Sequence, residues 1–449
     1  MSNVSSNKGI YFSELYLENV KCFKQPVTLK FINVETGNWK QWTVILGDNG
    51  LGKTTLLQCL ALLLPVRDKN GQLQPAFGPI VFAYNEMKLW MFENHAQLAV
   101  KFFERLNSID GDNLYYHNGR KDNLSIHLDI HSQAYAYGYS SKIDSILENE
   151  NNLNIFSYGA NRVMSTSSLS ENLLEKNSET LFSSDAKLIN AEEWLLQLDY
   201  AASKESEVKE YALSKREKVK QILIDILPDI TDVRFSSPTK ENLKSNVEFL
   251  SSFGWVRIDQ LSLGYQTMVA WIVDLAARMF ARYPDSDHPL GEPAIVLVDE
   301  IDLHLHPKWQ RSIFEFLSEK FPATQFIVTA HSPLIVQAAP EDANLVVLKK
   351  EGDHVVVDQN IENVHQWRID QILASDLYGI GSRNPQIEQL LNERTLLLQK
   401  KILTTAEKNR LKVLNEKAHD LPTAENPEDI EAMEIIREAA SYLKNKNGI

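Results

Sequence analysis

Several absences narrow this sequence before any motif is read. It has only two cysteines, Cys22 and Cys59, which excludes a disulfide framework and a four-thiolate zinc site and fits a reducing compartment. No apolar run approaches the ~20 residues that cross a bilayer; the longest, such as Leu60–Leu64 and Ile295–Val298, fall far short. Met1 to Lys8 is polar, so no secretory leader is expected. These points lead us to expect a soluble, cytoplasmic chain with no membrane partner. Positive charge is also scarce: 46 Lys and Arg against 60 Asp and Glu leave a net charge of −14. That excludes a general polycation for nucleic acid but leaves room for a local basic groove. Fixed-period repeats are absent, as is any heptad run long enough for an extended coiled coil.

The composition that remains is globular, with 43% apolar and 24% charged residues over 449 positions. That length accommodates two to four domains, or one large domain with insertions. Ile10 to Leu17 and Val27 to Phe31 read as a strand pair, and Trp42 to Leu46 as a short apolar strand ending in a glycine turn. Thr54 to Leu64 reads as a helix stopped by Pro65. Ser125 to Ile130 and Ala134 to Tyr139 suggest further strands, and Ser165 to about Lys220 is mostly helical in composition. Ile295 to Val298 and Phe326 to Thr329 read as buried strands. Three helices are expected from Asn384 onward. They begin at Asn384-Pro385, at Thr404 with Glu407 in capping-box spacing, and at Asn426-Pro427. The lysines and arginines of Ser203 to Gln221 lie among glutamates, which suits a solvated helix face better than a nucleic-acid ridge.

The strongest chemical signal is Gly47-Asp48-Asn49-Gly50-Leu51-Gly52-Lys53-Thr54, a G-x-x-x-x-G-K-[ST] pattern. Average composition would produce it in about one or two chains per hundred of this length. Here a strand precedes it and a helix follows, as phosphate binding requires. Glycines let backbone N–H groups turn inward around phosphates. Lys53 would reach the β- and γ-phosphates of ATP, and the hydroxyl of Thr54 would ligate Mg²⁺. Gly47, Asn49, Gly50, Gly52 and Thr55 complete the expected nucleotide contacts.

Ile295-Val296-Leu297-Val298 then delivers Asp299 and Glu300 at a strand end, where open α/β sheets bind ligands. Two adjacent acids there are costly without a cation. Asp299 suits Mg²⁺ through a water, and Glu300 suits polarisation of an attacking water. Leu261-Ser262-Leu263-Gly264-Tyr265-Gln266 leads into an apolar helix. Ser262 and Gly264 can present a hydroxyl and N–H groups to a phosphate, although serine there also serves as an ordinary N-cap. Thr329-Ala330-His331-Ser332-Pro333 follows an apolar strand, and His331 can sense a γ-phosphate.

In this order, the four elements resemble the ABC-type ATPase heads of the SMC, RecF and OLD group, over about residues 9–64 and 255–350. The resemblance implies an α/β fold: a P-loop NTPase with a mixed sheet, a helical insertion and a helical C-terminal tail. It also implies two ATPs sandwiched in a head-to-tail dimer, with Ser262 and Gly264 reaching the partner's γ-phosphate. Higher assemblies up to a hexamer, as a trimer of dimers, follow from it as well. Asp302 falls where the family's D-loop crosses the interface, and His331 matches the switch histidine. Lys21, in Asn19-Val20-Lys21-Cys22-Phe23, matches the family's early Asn-Phe-Lys-x-Phe segment near the nucleotide, with Val20 in place of the first phenylalanine.

No Asp-x-Asp metal motif follows His331, which separates the chain from OLD nucleases. A stand-alone head with a helical tail is most similar to ATPases of prokaryotic antiphage systems of the Septu, retron-linked and PARIS types. Tyr158-Gly159-Ala160-Asn161-Arg162 and Ala191-Glu192-Glu193-Trp194-Leu195 fit that group. The implied function is ATP hydrolysis that senses a phage or DNA trigger and controls a separate nuclease or toxin. A RecF- or SMC-like DNA-repair ATPase that clamps DNA is the alternative. The expected organisation is a first ATPase lobe (1–160), a helical insertion (161–245), a second lobe (246–350) and a helical C-terminal region (351–449).

Overall fold

Trp42–Leu46 is buried at every position and apolar at every position but Thr43, as suits a strand covered on both faces of its sheet. Ala294–Val298 is likewise apolar and buried throughout, and Thr324–Thr329 is buried throughout while carrying the polar Thr324, Gln325 and Thr329. A computed structural model describes residues 9–33, 36–63, 65–67, 73–75, 95–105, 124–131, 135–139, 153–166, 179–238, 240, 244–359, 364, 367–375, 377–378, 384–400 and 403–419. In it the three strands lie side by side in a six-stranded sheet. Its order is His354–Asp358, Asn344–Glu351, Trp42–Leu46, Thr324–Thr329, Ala294–Val298, Ile155–Tyr158. Only the outer pair formed by Asn344–Glu351 and His354–Asp358 is antiparallel. Val298 is in register with Val328 and Tyr158, and Thr329 with Ile45, so the carboxyl ends of four parallel strands reach one edge together.

A second, five-stranded sheet is antiparallel, in the order Val27–Lys30, Gly9–Glu18, His95–Arg105, Leu124–His131, Tyr135–Tyr139. The expected pairing of the first two strands is present. Sequence reading missed His95–Arg105 because its polar and apolar residues do not alternate strictly. The two sheets are tied by Gln325, whose side chain is buried. Its Nε2 donates to Phe12 O at 2.9 Å, and its Oε1 accepts from Phe12 N at 2.9 Å. A buried amide satisfied on both ends fixes the register between layers.

The helix Lys53–Leu62 is apolar on nearly every side and therefore needs cover all round. It shares one core with Phe12 and Leu15 of the antiparallel sheet and Ile45 and Leu297 of the parallel one. Residues 167–178 of the expected helical stretch lie outside the described residues. Beyond them run a short turn of helix, Glu179–Phe182, and two longer helices, Ala191–Ser203 and Lys209–Ile226. A small sheet of Asp232–Phe235, Val247–Ser251 and Gly254–Arg257 follows, for which no element was expected. Past residue 350, His354–Asp358 continues the central sheet in a stretch that the sequence reading placed in a helical region. Its run of three valines is β-branched and favours a strand.

The basic residues of the Lys209–Ile226 helix are engaged within the fold. Lys209 pairs with Glu205, Arg216 with Asp199 at 2.7 Å, and Lys220 with Asp232 at 2.8 Å. Lys215 lies over the Tyr211 ring, 3.8 Å from its centroid, and burial lowers its amine to about 8. No helix among the described residues is long and apolar enough to cross a membrane.

The chain divides into two units, Met1–Ile372 and Leu373–Ile449. In the second unit Asn384 caps Pro385–Leu398 through Gln386 N at 2.9 Å. Thr404 and Glu407 form the expected capping box at the start of Thr405–His419, at 2.8 and 3.3 Å. Arg410 grips Glu393 with two nitrogens, at 2.8 and 2.7 Å, joining the helices. The third expected helix, from Asn426, lies outside the described residues.

The long helix Leu263–Arg282 is anchored by a wholly buried carboxylate. Asp274 accepts from Arg278 Nε at 2.6 Å, from Tyr158 Oη at 2.9 Å and from Ile189 N at 3.2 Å. Removing one partner strands the other's charge, which costs about 3–5 kcal/mol. Asp274→Ala is therefore expected to lower the urea midpoint sharply. Replacing Asp274 and Arg278 together by leucine should cost less than Asp274→Ala alone.

Candidate active site

The turn between Trp42–Leu46 and the helix Lys53–Leu62 is shaped by its glycines. Gly50 and Gly52 take φ of +81° and +87°, a region that side chains rarely adopt. Gly52 is also crowded. A Cβ there would lie 2.5 Å from Cys22 Sγ and 2.9 Å from Phe23, whereas a Cβ on Gly50 would meet nothing within 4 Å. The crowding comes from the Asn19–Phe23 turn, closed by reciprocal Val20 and Phe23 backbone bonds at 3.0 and 2.9 Å. Cys22 Sγ donates to Leu51 O at 3.6 Å, so this turn backs the glycine loop directly. Lys21 stands on it with φ +49°, and burial pulls its amine down. Asn49 is exposed and Thr55 is buried.

The side chain of Lys53 is nearly buried, and its Nζ donates back to Gly47 O at 2.7 Å and Asp48 O at 3.0 Å. Burial pulls its pKa down; Asp299, Glu300, Asp48 and Asp302 push it back up. The ammonium thus rests on the loop's carbonyls within a field of carboxylates.

Thr54 Oγ1 donates to Asp299 Oδ2 at 2.7 Å, and Thr329 Oγ1 donates to Asp299 Oδ1 at 2.6 Å. Asp299 is only 4% exposed, so both of its oxygens are held in a dry setting. A hydroxyl and a carboxylate brought together make a hard-oxygen pair of the kind that Mg²⁺ takes. Glu300 follows at φ +49°, its N–H donating to Thr329 Oγ1 at 2.7 Å. Its Oε1 is 3.9 Å from His331 Nε2. Asp302 Oδ2 accepts from His331 N at 3.0 Å and from Ser332 N at 2.7 Å, which ties the turn after the acids to the turn after Thr324–Thr329. Lys53, Thr54, Asp299, Glu300, Asp302 and His331, separated by up to 278 positions in the chain, therefore form one constellation.

Ser262 and Gly264 form no hydrogen bond to this constellation among the described residues. Ser262 is exposed at the start of Leu263–Arg282 and its hydroxyl makes no capping bond, so the ordinary N-cap role does not account for it. Gly264 backs onto the loop after the acids, where an added Cβ would fall 2.4 Å from His304 O. Leu263 beside it is 58% exposed.

Arg162 is the residue sequence reading undervalued. It is buried and donates from Nη1 to Asp299 O and from Nη2 to Glu300 O at 2.9 Å. Burial draws the guanidinium down to about 10, against the opposing pull of Asp299, Asp302 and Glu300. The clue in the sequence was its place just after the short apolar strand Ile155–Tyr158.

A glycine loop, a lysine and a Thr–Asp pair at the edge of a parallel sheet coincide with a family match. The family described as "AAA domain, putative AbiEii toxin, Type IV TA system" matches residues 42–337. The chain belongs to this AAA-domain family. It is 25% identical to the Septu protein PtuA of Bacillus mycoides (strain KBAB4) over 93% of this chain and 52% of that protein. It is 34% identical to the Retron Vc95 probable ATPase of Vibrio cholerae serotype O1 biovar El Tor, over 29% of this chain and 25% of that protein. The chain thus spans about half the length, or less, of these curated relatives. A solved SMC head bound to the C-winged helix domain of ScpA is similar at 18% identity and a TM-score of 0.44, covering 78% of this chain and 97% of that one.

The two loop glycines separate backbone strain from crowding. Gly50→Ala should cost only the left-handed backbone, about 1–2 kcal/mol. Gly52→Ala adds overlap with Cys22 and Phe23, so it should lower the thermal midpoint further and weaken binding of a fluorescent ATP analogue at least tenfold. Equal behaviour of the two variants would show that the Asn19–Phe23 turn does not back the loop.

Proposed function

We propose that this AAA-domain chain is a Mg²⁺-dependent ATPase of an antiphage defence system. In this reading it works in the cytoplasm as an ATP-sandwiched head-to-tail dimer and controls a separate nuclease or toxin. The observation that carries the reading is the pairing of Thr54 Oγ1 with Asp299 Oδ2, with Lys53 and Glu300 on either side. The relation to a Septu protein along nearly the whole chain supports the defence setting.

Each residue then has a role. The N–H groups of the Gly47–Gly52 loop and Lys53 hold the β- and γ-phosphates. Thr54, and Asp299 through a water, would hold Mg²⁺, which would neutralise charge on the phosphate oxygens. Glu300 accepts a hydrogen bond from the attacking water and orients it. His331, held by Asp302 through its backbone, would sense the γ-phosphate from beside Glu300. Ser262 and Gly264 of a second copy close the site from the other side. The free hydroxyl of Ser262 and the exposed Leu263 suit a contact made across subunits. Positioning and charge stabilisation supply most of the catalysis.

The ion-paired state of the Lys209–Ile226 helix leaves few free cations there and favours effector control over a DNA clamp. DNA remains the trigger candidate alongside a phage protein.

Lys53→Ala is expected to lose nucleotide binding, and unchanged affinity would sink the phosphate-loop assignment. Glu300→Gln should bind ATP and hydrolyse it at least 100-fold more slowly. Wild-type turnover in that variant would place the catalytic acid elsewhere.

Mixing Lys53→Ala with Ser262→Arg tests the shared site. Neither variant should hydrolyse ATP alone. A mixed dimer holds one site with both lesions and one with neither, so activity should return to about half per heterodimer if the sites act independently. Full activity in an isolated monomer would overturn the dimer.

A further inference from the structure

The carbonyl oxygens of Asp299 and Glu300 lie where the chain leaves the sheet, and the group that binds both is Arg162. Its Nη1 also donates to Gly159 O at 3.2 Å, while Nη2 serves Glu300 O at 2.9 Å. A planar guanidinium can bridge two carbonyls in fixed geometry; a lysine ammonium cannot reproduce that fork. The grip matters most at Glu300, which sits in the left-handed region at φ +49°. Its N–H is held by Thr329 Oγ1, and its carbonyl by Arg162 and by Leu303 N at 3.0 Å. A strained residue persists where its surroundings over-determine it.

Arg162 is itself held firmly. Gly159 N donates to Thr180 Oγ1 at 3.3 Å, Asn161 Nδ2 to Ser184 O at 2.6 Å, and Leu188 N to Val163 O at 2.9 Å. Yet its Nε is buried with no partner among the described residues. An arginine kept only for packing would be expected to satisfy its donors. This one leaves Nε unpaired and keeps its terminal nitrogens on the backbone of the two acids. It makes no hydrogen bond to Lys53, Thr54 or the glycine loop.

We propose that Arg162 is a positioning residue that sets the backbone of Asp299 and Glu300, so that it governs the hydrolytic step and not nucleotide binding. The inference rests on the ATPase reading above.

The test compares Arg162→Lys and Arg162→Ala with wild type. The readouts are steady-state ATP hydrolysis, binding of a fluorescent ATP analogue and thermal unfolding. Arg162→Lys is expected to bind the analogue within about threefold of wild type and to lower kcat at least tenfold with little change in KM. Added ethylguanidinium at millimolar concentration should restore kcat several-fold in Arg162→Ala, and ethylammonium should not. Turnover within twofold of wild type in Arg162→Lys overturns the inference. So does a parallel loss of analogue binding and turnover, which would make the arginine a support of the whole loop. Should Arg162→Ala fail to fold, Arg162→Lys alone decides. Glu300→Gln is the control. Wild-type turnover there defeats the ATPase reading itself, whereas a slow Glu300→Gln beside a fast Arg162→Lys defeats only this inference.

Discussion

A carboxylate placed almost out of water at the end of a parallel strand is the constraint around which the described fold is arranged. Asp299 cannot remain there as an ion without donors, and it receives one from each side. Thr54 comes from the helix after the glycine loop, and Thr329 from the neighbouring strand. For both hydroxyls to reach it, three segments must end at the same level. The register of Trp42–Leu46, Thr324–Thr329 and Ala294–Val298 provides that. The complete burial of those strands keeps the surroundings dry.

The same region links elements that are remote in sequence. Asp302 holds the backbone at His331 and Ser332, and Ser332 Oγ meets Gln310 of the helix Pro307–Lys320. The start of Leu263–Arg282 presses on His304 through Gly264, and Tyr265 packs edge-on against Trp309, 4.6 Å between centroids. The Leu-Ser-Leu-Gly segment is thereby joined to the turn that follows the acids within one chain, before any second copy is considered.

Legibility in the sequence followed locality. The glycine loop, the acid-bearing strand, and the caps at Asn384 and Thr404 are written in consecutive residues whose spacing has a single physical reading. Arg162 was not readable in this way. Its partners at the two acids lie 137 and 138 positions away, and its value depends on Ile155–Tyr158 pairing beside Ala294–Val298, a fact of strand order. The charges of Lys209–Ile226 could be counted, but their engagement by Asp199 and Asp232 depends on tertiary placement. The small sheet of Asp232–Arg257 escaped because its strands are only four or five residues long, too short for an alternation such as Asp232-Val233-Arg234-Phe235 to stand out.

The backbone of Glu300 carries a consequence for how such a chain can change. Left-handed φ is adopted readily by glycine and tolerated by asparagine, and a long carboxylate side chain suits it poorly. Drift toward glycine at this one position would relax the fold by a fraction of its total stability while deleting the acid that the proposed chemistry needs. Selection for folding and selection for hydrolysis therefore pull in opposite directions here. A descendant that had shed turnover but kept its nucleotide-holding loop would be expected to betray itself first at this position, with its sheet otherwise intact.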